Sequence, residues 1–253
     1  DTDNPYEIDI PIQILMSLDQ KGFPIDGMVI KSSPVIADLY GNGTKSIIFG
    51  SDDNNVYGYM LDGLEMFGFP YATGDDVRSS PAVADLDKNN SLELIIGSHD
   101  GSLHILSGFG QQLATHQING SINGSPAAVD LDQDGDLEVV FTSYNGGTGD
   151  VHAIHHDGST FYGFPVVLNE KMVGGAAAGD LDGDGFPEVV VCTDDDNVYA
   201  IKKDGSIMTG FPFTSTDRFY NAPTLVDLDG DSDLEIVVGN KAGILQVLHH
   251  DGT

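Results

Sequence analysis

The chain has 253 residues, of which 40 are acidic and 10 are Lys or Arg, and its formal net charge is −30 at pH 7. A charge this negative argues against nucleic acid or an anionic membrane as the partner, since both would repel the protein. The sequence contains no apolar run of about 18 residues, so we expect no transmembrane segment. The chain begins at Asp1 without a Met or a signal peptide, and we expect a processed, exported protein located outside the cell or at its surface.

Five copies of one pattern run along the chain. In each copy a short segment of small residues ends in Asp-Leu and is followed by an acidic loop and a short apolar run. The Asp-Leu pairs begin at Asp38, Asp85, Asp130, Asp180 and Asp227. Their spacings of 47, 45, 50 and 47 residues indicate a repeat architecture, in which no unit buries its apolar face alone.

The third unit shows what one repeat contains. Its segments 125–129, 139–142, 151–154 and 163–167 have the length and composition of short strands, and Gly, Asn and Asp turns separate them. No segment has the apolar period of an amphipathic helix. Each repeat is therefore predicted to form one antiparallel sheet of four strands, and the chain is predicted to be all-β.

The strand after each acidic loop is continuously apolar, as in 94–96, 189–191 and 236–238. Such a strand needs burial on both faces, which a stack of sheets provides. The strand before the loop consists of small residues and in four repeats starts with Pro, which suits a crowded innermost strand. Radially arranged four-stranded sheets of this size form a β-propeller.

The repeat pattern, Pro-small-x-small-Asp-Leu-Asp-Gly-Asp-Gly-x-x-Glu-Val-Val-Val, resembles the FG-GAP repeat. This repeat, also called VCBS-type, occurs in integrin α-subunit propellers and in many secreted bacterial proteins. The resemblance covers residues from about 22 to the end. A Gly-Phe-Pro sequence starting at Gly22, Gly68, Gly163 and Gly210 is more similar to the secreted bacterial branch. The resemblance implies a propeller over 21–253, preceded by an N-terminal extension over 1–20.

The two ends of the chain predict how the propeller closes. The last unit stops at residues 250–253, where its fourth strand is due, while 21–24 has the sequence of a fourth strand without a repeat of its own. Joining them gives a five-bladed ring with no open sheet edge. The segment 6–18 then has no place in the ring. It is predicted to lie along the outer edge of its own propeller, or to join another copy in a filament, or to belong to a larger propeller.

The acidic loops predict metal sites. Carboxylates at loop positions 1, 3, 5 and 9 place several oxygens on one tight turn, and Ca²⁺ prefers six to eight oxygen ligands in flexible geometry. The resemblance to FG-GAP loops implies that position 7 contributes its backbone carbonyl. About four Ca²⁺ sites are expected, in the second to fifth repeats. Their predicted residues are Asp85, Asp87, Asn89, Ser91 and Glu93; Asp130, Asp132, Asp134, Asp136 and Glu138; Asp180, Asp182, Asp184, Phe186 and Glu188; and Asp227, Asp229, Asp231, Asp233 and Glu235.

The first loop departs from this pattern. It keeps Asp38 but has Tyr40 at position 3 and Ser46 at position 9, with Lys45 between them, so no metal is expected there. The alternative for all five loops is that Asp and Asn only cap turns. Against that alternative, several acids on one loop repel one another without a cation, and a turn needs only one of them.

No catalytic motif is recognisable in the sequence. The pairs His155-His156 and His249-His250 precede Asp-Gly at one repeat position, so we interpret them as exposed turn residues rather than as a Zn²⁺ site. The lone Cys192 occupies a position that is Gly in three other repeats, and we interpret it as a small buried filler rather than a nucleophile.

These observations leave three hypotheses of function. The first is a non-enzymatic, Ca²⁺-stabilised extracellular module for adhesion, for binding a protein or glycan, or for surface assembly. The second is the propeller of a secreted polysaccharide-active enzyme such as a lyase. A lyase needs a cluster of Lys, Arg, His or Tyr on one face, and the ten Lys and Arg look scattered along the sequence. The third is a filament subunit joined through its N-terminal strand.

Overall fold

A computed structural model describes residues 20–253. This part of the chain contains nineteen β-strands and no helix, so it is all-β, as predicted. In particular, none of its segments is a helix long and apolar enough to cross a membrane. The predicted strand within 6–18 lies outside the described residues.

The strands form five antiparallel sheets in chain order. The first contains β1 (Val35–Ala37), β2 (Ser46–Ser51), β3 (Asn55–Met60) and β4 (Tyr71–Ala72). The second contains β5 (Ala82–Ala84), β6 (Glu93–Gly97), β7 (Ser102–Ser107) and β8 (Gln112–Gln117). The third contains β9 (Ala127–Val129), β10 (Glu138–Thr142), β11 (Asp150–Ile154) and β12 (Val166–Val167). The fourth contains β13 (Ala177–Gly179), β14 (Glu188–Cys192), β15 (Asn197–Ile201) and β16 (Phe213–Thr214). The fifth contains β17 (Thr224–Val226), β18 (Glu235–Gly239) and β19 (Leu245–Leu248).

Within each sheet, consecutive strands pair as neighbours. In the third sheet, for example, Val140 of β10 lies opposite Ala127 on one side and Ala153 on the other. The innermost strands β1, β5, β9, β13 and β17 contact one another in that order. The sheets are therefore arranged around a common axis, which is the arrangement of a β-propeller.

The hydrophobic core lies between successive sheets. Alternate residues of β14 point to opposite sides: Val189 and Val191 pack with the third sheet, whereas Val190 and Cys192 pack with the fifth. The three valines are completely buried. This explains why the second strand of each repeat is continuously apolar, since both of its faces contact another sheet.

One apolar residue locks each sheet onto the sheet before it. Val77, four residues ahead of Pro81, lies over Gly50 of the first sheet, and Ile122 lies over Gly97 of the second. A Cβ at either glycine would overlap these side chains, so glycine makes the seat for the incoming residue. The equivalent residues of the next two repeats are Met172 and Phe219. All four are at most 2% exposed.

The Gly-Phe-Pro turns make a second contact between neighbouring repeats. Gly68, Gly163 and Gly210 each pack against the turn that follows the third strand of the next repeat. Gly22 packs in the same way against Asp62 in the first repeat. These glycines have φ values of 87° to 96°, and a Cβ would collide with the facing backbone, so no other residue fits.

The predicted pairing of residues 22–24 with the last sheet is wrong for the described part of the chain. Within residues 20–253 the fifth sheet has three strands and no strand pairs with the outer edge of β19, where Leu245 is 72% exposed. The first Gly-Phe-Pro sequence, at Gly22, packs against the turn at Asp62 in the repeat that follows it. This contact does not require residues 22–24 to pair with β19. Ile30, the counterpart of Val77, is 47% exposed, and the seat at Gly239 has no atom within 4 Å of a Cβ position.

Candidate metal sites in the acidic loops

The loop between β9 and β10 is folded by the carboxylates at its two ends. Oδ2 of Asp130 accepts a hydrogen bond from the backbone N–H of Gly135 at 3.2 Å, and Oε2 of Glu138 accepts one from Leu131 at 2.8 Å. Each carboxylate thus uses one oxygen to hold the turn. The second oxygen of Glu138, Oε1, lies 3.1 Å from Nδ1 of His155, whereas the second oxygen of Asp130 is left for another partner.

The second oxygen of Asp130 makes this loop a candidate metal site. Oδ1 of Asp130 is buried and has no hydrogen-bond partner. Carboxylate oxygens of Asp130, Asp132 and Glu138 all lie within 4.8 Å of one another. Burying an unpartnered acceptor costs about 1–3 kcal/mol, and more when the group is charged. A cation among these three carboxylates would remove that cost.

The same arrangement recurs in the second and fourth repeats. One oxygen of the Asp at position 1 again accepts a backbone N–H of the turn: Asp85 accepts that of Asn90 at 2.9 Å, and Asp180 accepts that of Gly185 at 2.9 Å. Oδ1 of Asp85 and Oδ1 of Asp180 are again buried and unpartnered. The acid clusters are Asp85, Asp87 and Glu93 in the second repeat and Asp180, Asp182 and Glu188 in the fourth. The donor sets are all oxygen, which fits Ca²⁺.

The fifth loop is more open. Here Gly230 N–H contacts Asp227 Oδ1 at 2.6 Å, and the residue at position 1 is exposed. Two overlapping groups of possible ligands occur. They are Asp227, Asp229 and Asp231, and Asp229, Glu235 and His249. This loop therefore has a candidate site, but a less enclosed one than the three before it.

The first loop uses its acid differently. Both oxygens of Asp38 accept backbone N–H groups, from Asn42 at 3.1 Å and from Gly43 at 2.6 Å. The side chain of Asn42 in turn accepts the N–H of Thr44 at 2.8 Å. Asp38 acts here as a cap of the turn, the role that the other four loops assign to only one oxygen of their first Asp.

The predicted carboxylate ligands at position 5 are not part of the acid clusters in the third and fourth loops, as far as the described residues show. The clusters consist of side-chain oxygens, so the backbone carbonyl expected at position 7 stays a prediction. Oδ1 of Asp134 accepts the N–H of Asp136 at 3.0 Å, and Oδ1 of Asp184 accepts that of Phe186 at 2.9 Å. Asn89 does the same for Ser91 at 2.7 Å. Position 5 therefore shapes the second half of the loop, and the other oxygen of Asp184 lies 4.0 Å from Nζ of Lys202.

The glutamate at position 9 has a raised pKa in the second, third and fourth loops. Burial raises the pKa of Glu93 and Glu138, and nearby aspartates raise it further, while the backbone N–H bond of each glutamate lowers it. Burial is also the main cause that raises the pKa of Glu188 to about 7, with Asp182 adding to it. In these glutamates burial, more than the neighbouring aspartates, disfavours the charged form.

Sequence reasoning missed the residues that flank the loops. Nδ1 of His155 lies 3.1 Å from Glu138, Nζ of Lys202 lies 3.3 Å from Asp182, and Nδ1 of His249 lies 3.5 Å from Glu235. The histidines do flank turns, as predicted, but they also contact the acidic loop of the same sheet. The signal that could have found them is the recurrence of basic residues at one repeat position, just before Asp-Gly.

The structure agrees with the interpretation of Cys192 as a small buried residue. Cys192 is 3% exposed and packs between the fourth and fifth sheets, and burial raises the pKa of its thiol to about 12, which agrees with a filler role.

The Lys and Arg residues, which look scattered along the sequence, are partly clustered in the folded protein. Lys31, Arg78 and Lys171 line one cavity together with His99 and Tyr144.

The repeats match a known family. Residues 130–191 and 180–238 match the family model of the FG-GAP-like repeat. No curated protein matches the sequence. The prediction of FG-GAP-type repeats is thereby confirmed.

Solved structures share the fold. The crystal structure of Bap1, a biofilm matrix protein of V. cholerae, is 23% identical and matches with a TM-score of 0.67 over 89% of this chain and 38% of Bap1. The quinohemoprotein alcohol dehydrogenase of Comamonas testosteroni is 14% identical, with a TM-score of 0.63 over 88% of this chain and 42% of the enzyme. The PilY1 C-terminal domain of Pseudomonas aeruginosa is 14% identical, with a TM-score of 0.63 over 84% and 60%.

The chain thus spans between about two-fifths and three-fifths of the length of these neighbours. They include a matrix protein and an enzyme, so the shared fold does not decide between binding and catalysis. The radial sheets and these neighbours show that the chain has a β-propeller fold, and its residues 130–238 match FG-GAP-like repeats.

Proposed function

We propose that this chain is a Ca²⁺-stabilised, non-enzymatic binding propeller that works outside the cell. The observation that carries the calcium part is the buried, unpartnered Oδ1 at position 1 of three loops, in Asp85, Asp130 and Asp180. A turn explains one oxygen of each residue and leaves the other without a partner. A bound cation would give this second oxygen a partner.

Calcium at these loops would act on the innermost and second strands of a sheet. In the third repeat, Asp130 follows β9 and Glu138 begins β10, so one ion held by both would tie the strands together. Oxygen-only clusters on flexible loops favour Ca²⁺ over Mg²⁺, which demands stricter geometry. Such ties stabilise a chain that carries a net charge of −30 and has no disulfide.

The binding role and the location have a weaker basis. Bap1, a structural neighbour, is a biofilm matrix protein, and the strongly acidic composition suits a protein that does not engage nucleic acid or anionic membranes. We propose a protein or a glycan as the partner, and an adhesive or assembly role at the cell surface.

The calcium proposal is tested by counting ions. Protein purified in calcium and then freed of unbound ions should retain about four Ca²⁺ per chain. Exhaustive chelation should then lower the melting temperature, because each site that binds only the folded state adds roughly 2.7 kcal/mol at a hundredfold excess of calcium over Kd. A chain that retains no calcium, or that melts identically after chelation, would refute the proposal.

A second candidate function is supported by the cavity that Lys31, Arg78, His99, Tyr144 and Lys171 line. This is the kind of cluster that a polysaccharide lyase needs, with a cation for the sugar carboxylate and a Tyr or His as base. Incubation with acidic polysaccharides, followed by ultraviolet absorbance of the unsaturated product, tests it. Product formation that is lost in Tyr144→Phe would favour the enzyme, and no product would favour the binding role.

A further inference from the structure

The cavity just described lies at the opposite end of the sheets from the acidic loops. Lys31, Arg78 and Lys171 precede the innermost strands β1, β5 and β13, and His99 and Tyr144 lie in turns between second and third strands. Since the strands of each sheet alternate in direction, these segments all fall at one end. We call these five residues the basic mouth.

The charge of the basic mouth contrasts with the rest of the chain. The cavity has a volume of about 550 Å³ and is also lined by Ser121, Asn123 and Val173. No Asp or Glu is among its lining residues within 20–253, although the chain has 40 acidic residues and only 10 Lys and Arg. Three of those ten basic residues meet here, so the cavity suits an anionic ligand.

Buried acids hold the cations in place from behind. Asp52 lies 3.0 Å from Nζ of Lys31 and 2.9 Å from Nε of Arg78, and Asp194 lies 2.7 Å from Nζ of Lys171. A third acid, Asp76, lies 2.8 Å from Nη2 of Arg78 and is 24% exposed, whereas the side chains of Asp52 and Asp194 are 11% and 5% exposed. None of these acids lines the cavity, and they fix the orientation of the cations. Each Lys keeps ammonium donors for a ligand.

The neutral residues of the cavity suit hydroxyl groups. The amide of Asn123 donates to the hydroxyl of Ser121 at 3.3 Å and its oxygen contacts the ring of His99. The ring of Tyr144 lies beside Lys171, whose Nζ is 5.8 Å from the ring centroid. A flat ring next to short polar side chains offers the apolar face and the hydrogen bonds that a sugar ring uses. The cavity volume is within the range of sites for small molecules.

We propose that the basic mouth binds a carboxylated sugar, such as a uronate unit of an acidic polysaccharide. The carboxylates of the ligand contact Lys31, Arg78 and Lys171, and its hydroxyls contact Ser121 and Asn123. This inference rests on the proposed binding function and names the ligand class. An acidic peptide is the other source of carboxylates, but it would leave the amide, hydroxyl and aromatic groups without a comparable use.

The test is calorimetric titration of the calcium-loaded chain, at low salt, with a trimer of galacturonic acid. We expect binding of this trimer and none of the uncharged galactose trimer. The double variant Lys31→Gln/Lys171→Gln should bind at least tenfold more weakly. The charge-matched variant Lys21→Gln/Lys45→Gln, changed at two exposed sites outside the cavity, should bind like the parent. Circular dichroism spectra like that of the parent show that the variants are folded.

Three outcomes would overturn the inference. They are no binding of the uronate trimer by the folded, calcium-loaded chain, an equal loss in both double variants, and tighter binding of a glutamate tripeptide than of the uronate trimer. Calcium retention is measured on the same samples. A chain that holds calcium but binds no uronate refutes the ligand class alone, whereas a chain without calcium refutes the proposed stabilisation.

Discussion

Replacing Asp130 by Asn should change the stability of the protein in opposite directions with and without calcium. In the native chain, Oδ2 of Asp130 accepts the N–H of Gly135, and Oδ1 is buried without a partner beside Asp132 and Glu138. In Asp130→Asn the amide oxygen keeps the bond to Gly135. The amide NH₂ then points at the two carboxylates, where a cation would otherwise bind.

The expected magnitudes follow from this geometry. Without calcium, the variant loses a buried, unpartnered charge and gains a donor toward two carboxylates, which should stabilise it by about 1–2 kcal/mol. With calcium at a hundredfold excess over Kd, the parent gains roughly 2.7 kcal/mol from this site, which the variant forgoes. The variant should therefore melt above the parent in chelator and below it in calcium, by about 2–4 °C per kcal/mol for a chain of this size.

The assay is thermal unfolding followed by circular dichroism, in chelator and in calcium. Asp38→Asn is the matched control, because both oxygens of Asp38 accept N–H groups and an amide can keep only one of these bonds. It should cost about 1 kcal/mol in both conditions. If the effect of Asp130→Asn has the same sign and size with and without calcium, the metal interpretation of the orphaned oxygen is wrong.

Two further predictions concern packing and pH. Gly97→Ala places a Cβ against Ile122 and should cost about 1–3 kcal/mol, whereas Gly239→Ala has no atom within 4 Å and should cost almost nothing; denaturant midpoints compare them. Burial, with a smaller effect of the nearby His116, lowers the pKa of His152 to about 4. The folded state therefore disfavours its protonation, and stability should fall by about 3 kcal/mol from pH 6.5 to 4. His152→Gln should lose this part of the pH dependence; an unchanged difference between pH 7 and pH 4 would contradict it.

The repeat spacing predicts the sheets because each repeat needs the same contacts. A continuous apolar run such as 189–191 has to be buried on both sides, and this requirement alone indicates a stack of sheets. The fourth strand of the last sheet is different, because its pairing depends on residues far apart in sequence. The Gly-Phe-Pro sequence at Gly22 predicts the contact with the turn at Asp62, but it does not indicate which strand pairs with β19.

The candidate sites divide in the same way. The acids at positions 1, 3 and 9 are close together in sequence, and the turn brings them within ligand distance in three loops. The flanking basic residues, such as Lys202 beside Asp182, come from another turn of the sheet and need the register of the strands. The basic mouth collects Lys31, Arg78 and Lys171 from three repeats, so spacing along the chain conceals it.

The apolar residue that packs over a glycine of the preceding sheet, such as Ile122 over Gly97, makes the two sides of a sheet different. The second, third and fourth sheets are each held on one side by their own residue, as Ile122 is held over Gly97, and on the other side by the residue of the next repeat. Within residues 20–253, the first sheet lacks the first of these contacts, since Ile30 is 47% exposed. The fifth sheet lacks the second contact and also has only three strands, and Val247 of β19 is 49% exposed. Because unfolding of a repeat array spreads from its least supported unit, amide hydrogen exchange should be fastest in β18 and β19 and slowest in β10. The sheets would then unfold one after another from the fifth sheet, and unfolding would stop at the first interface between sheets that remains stable.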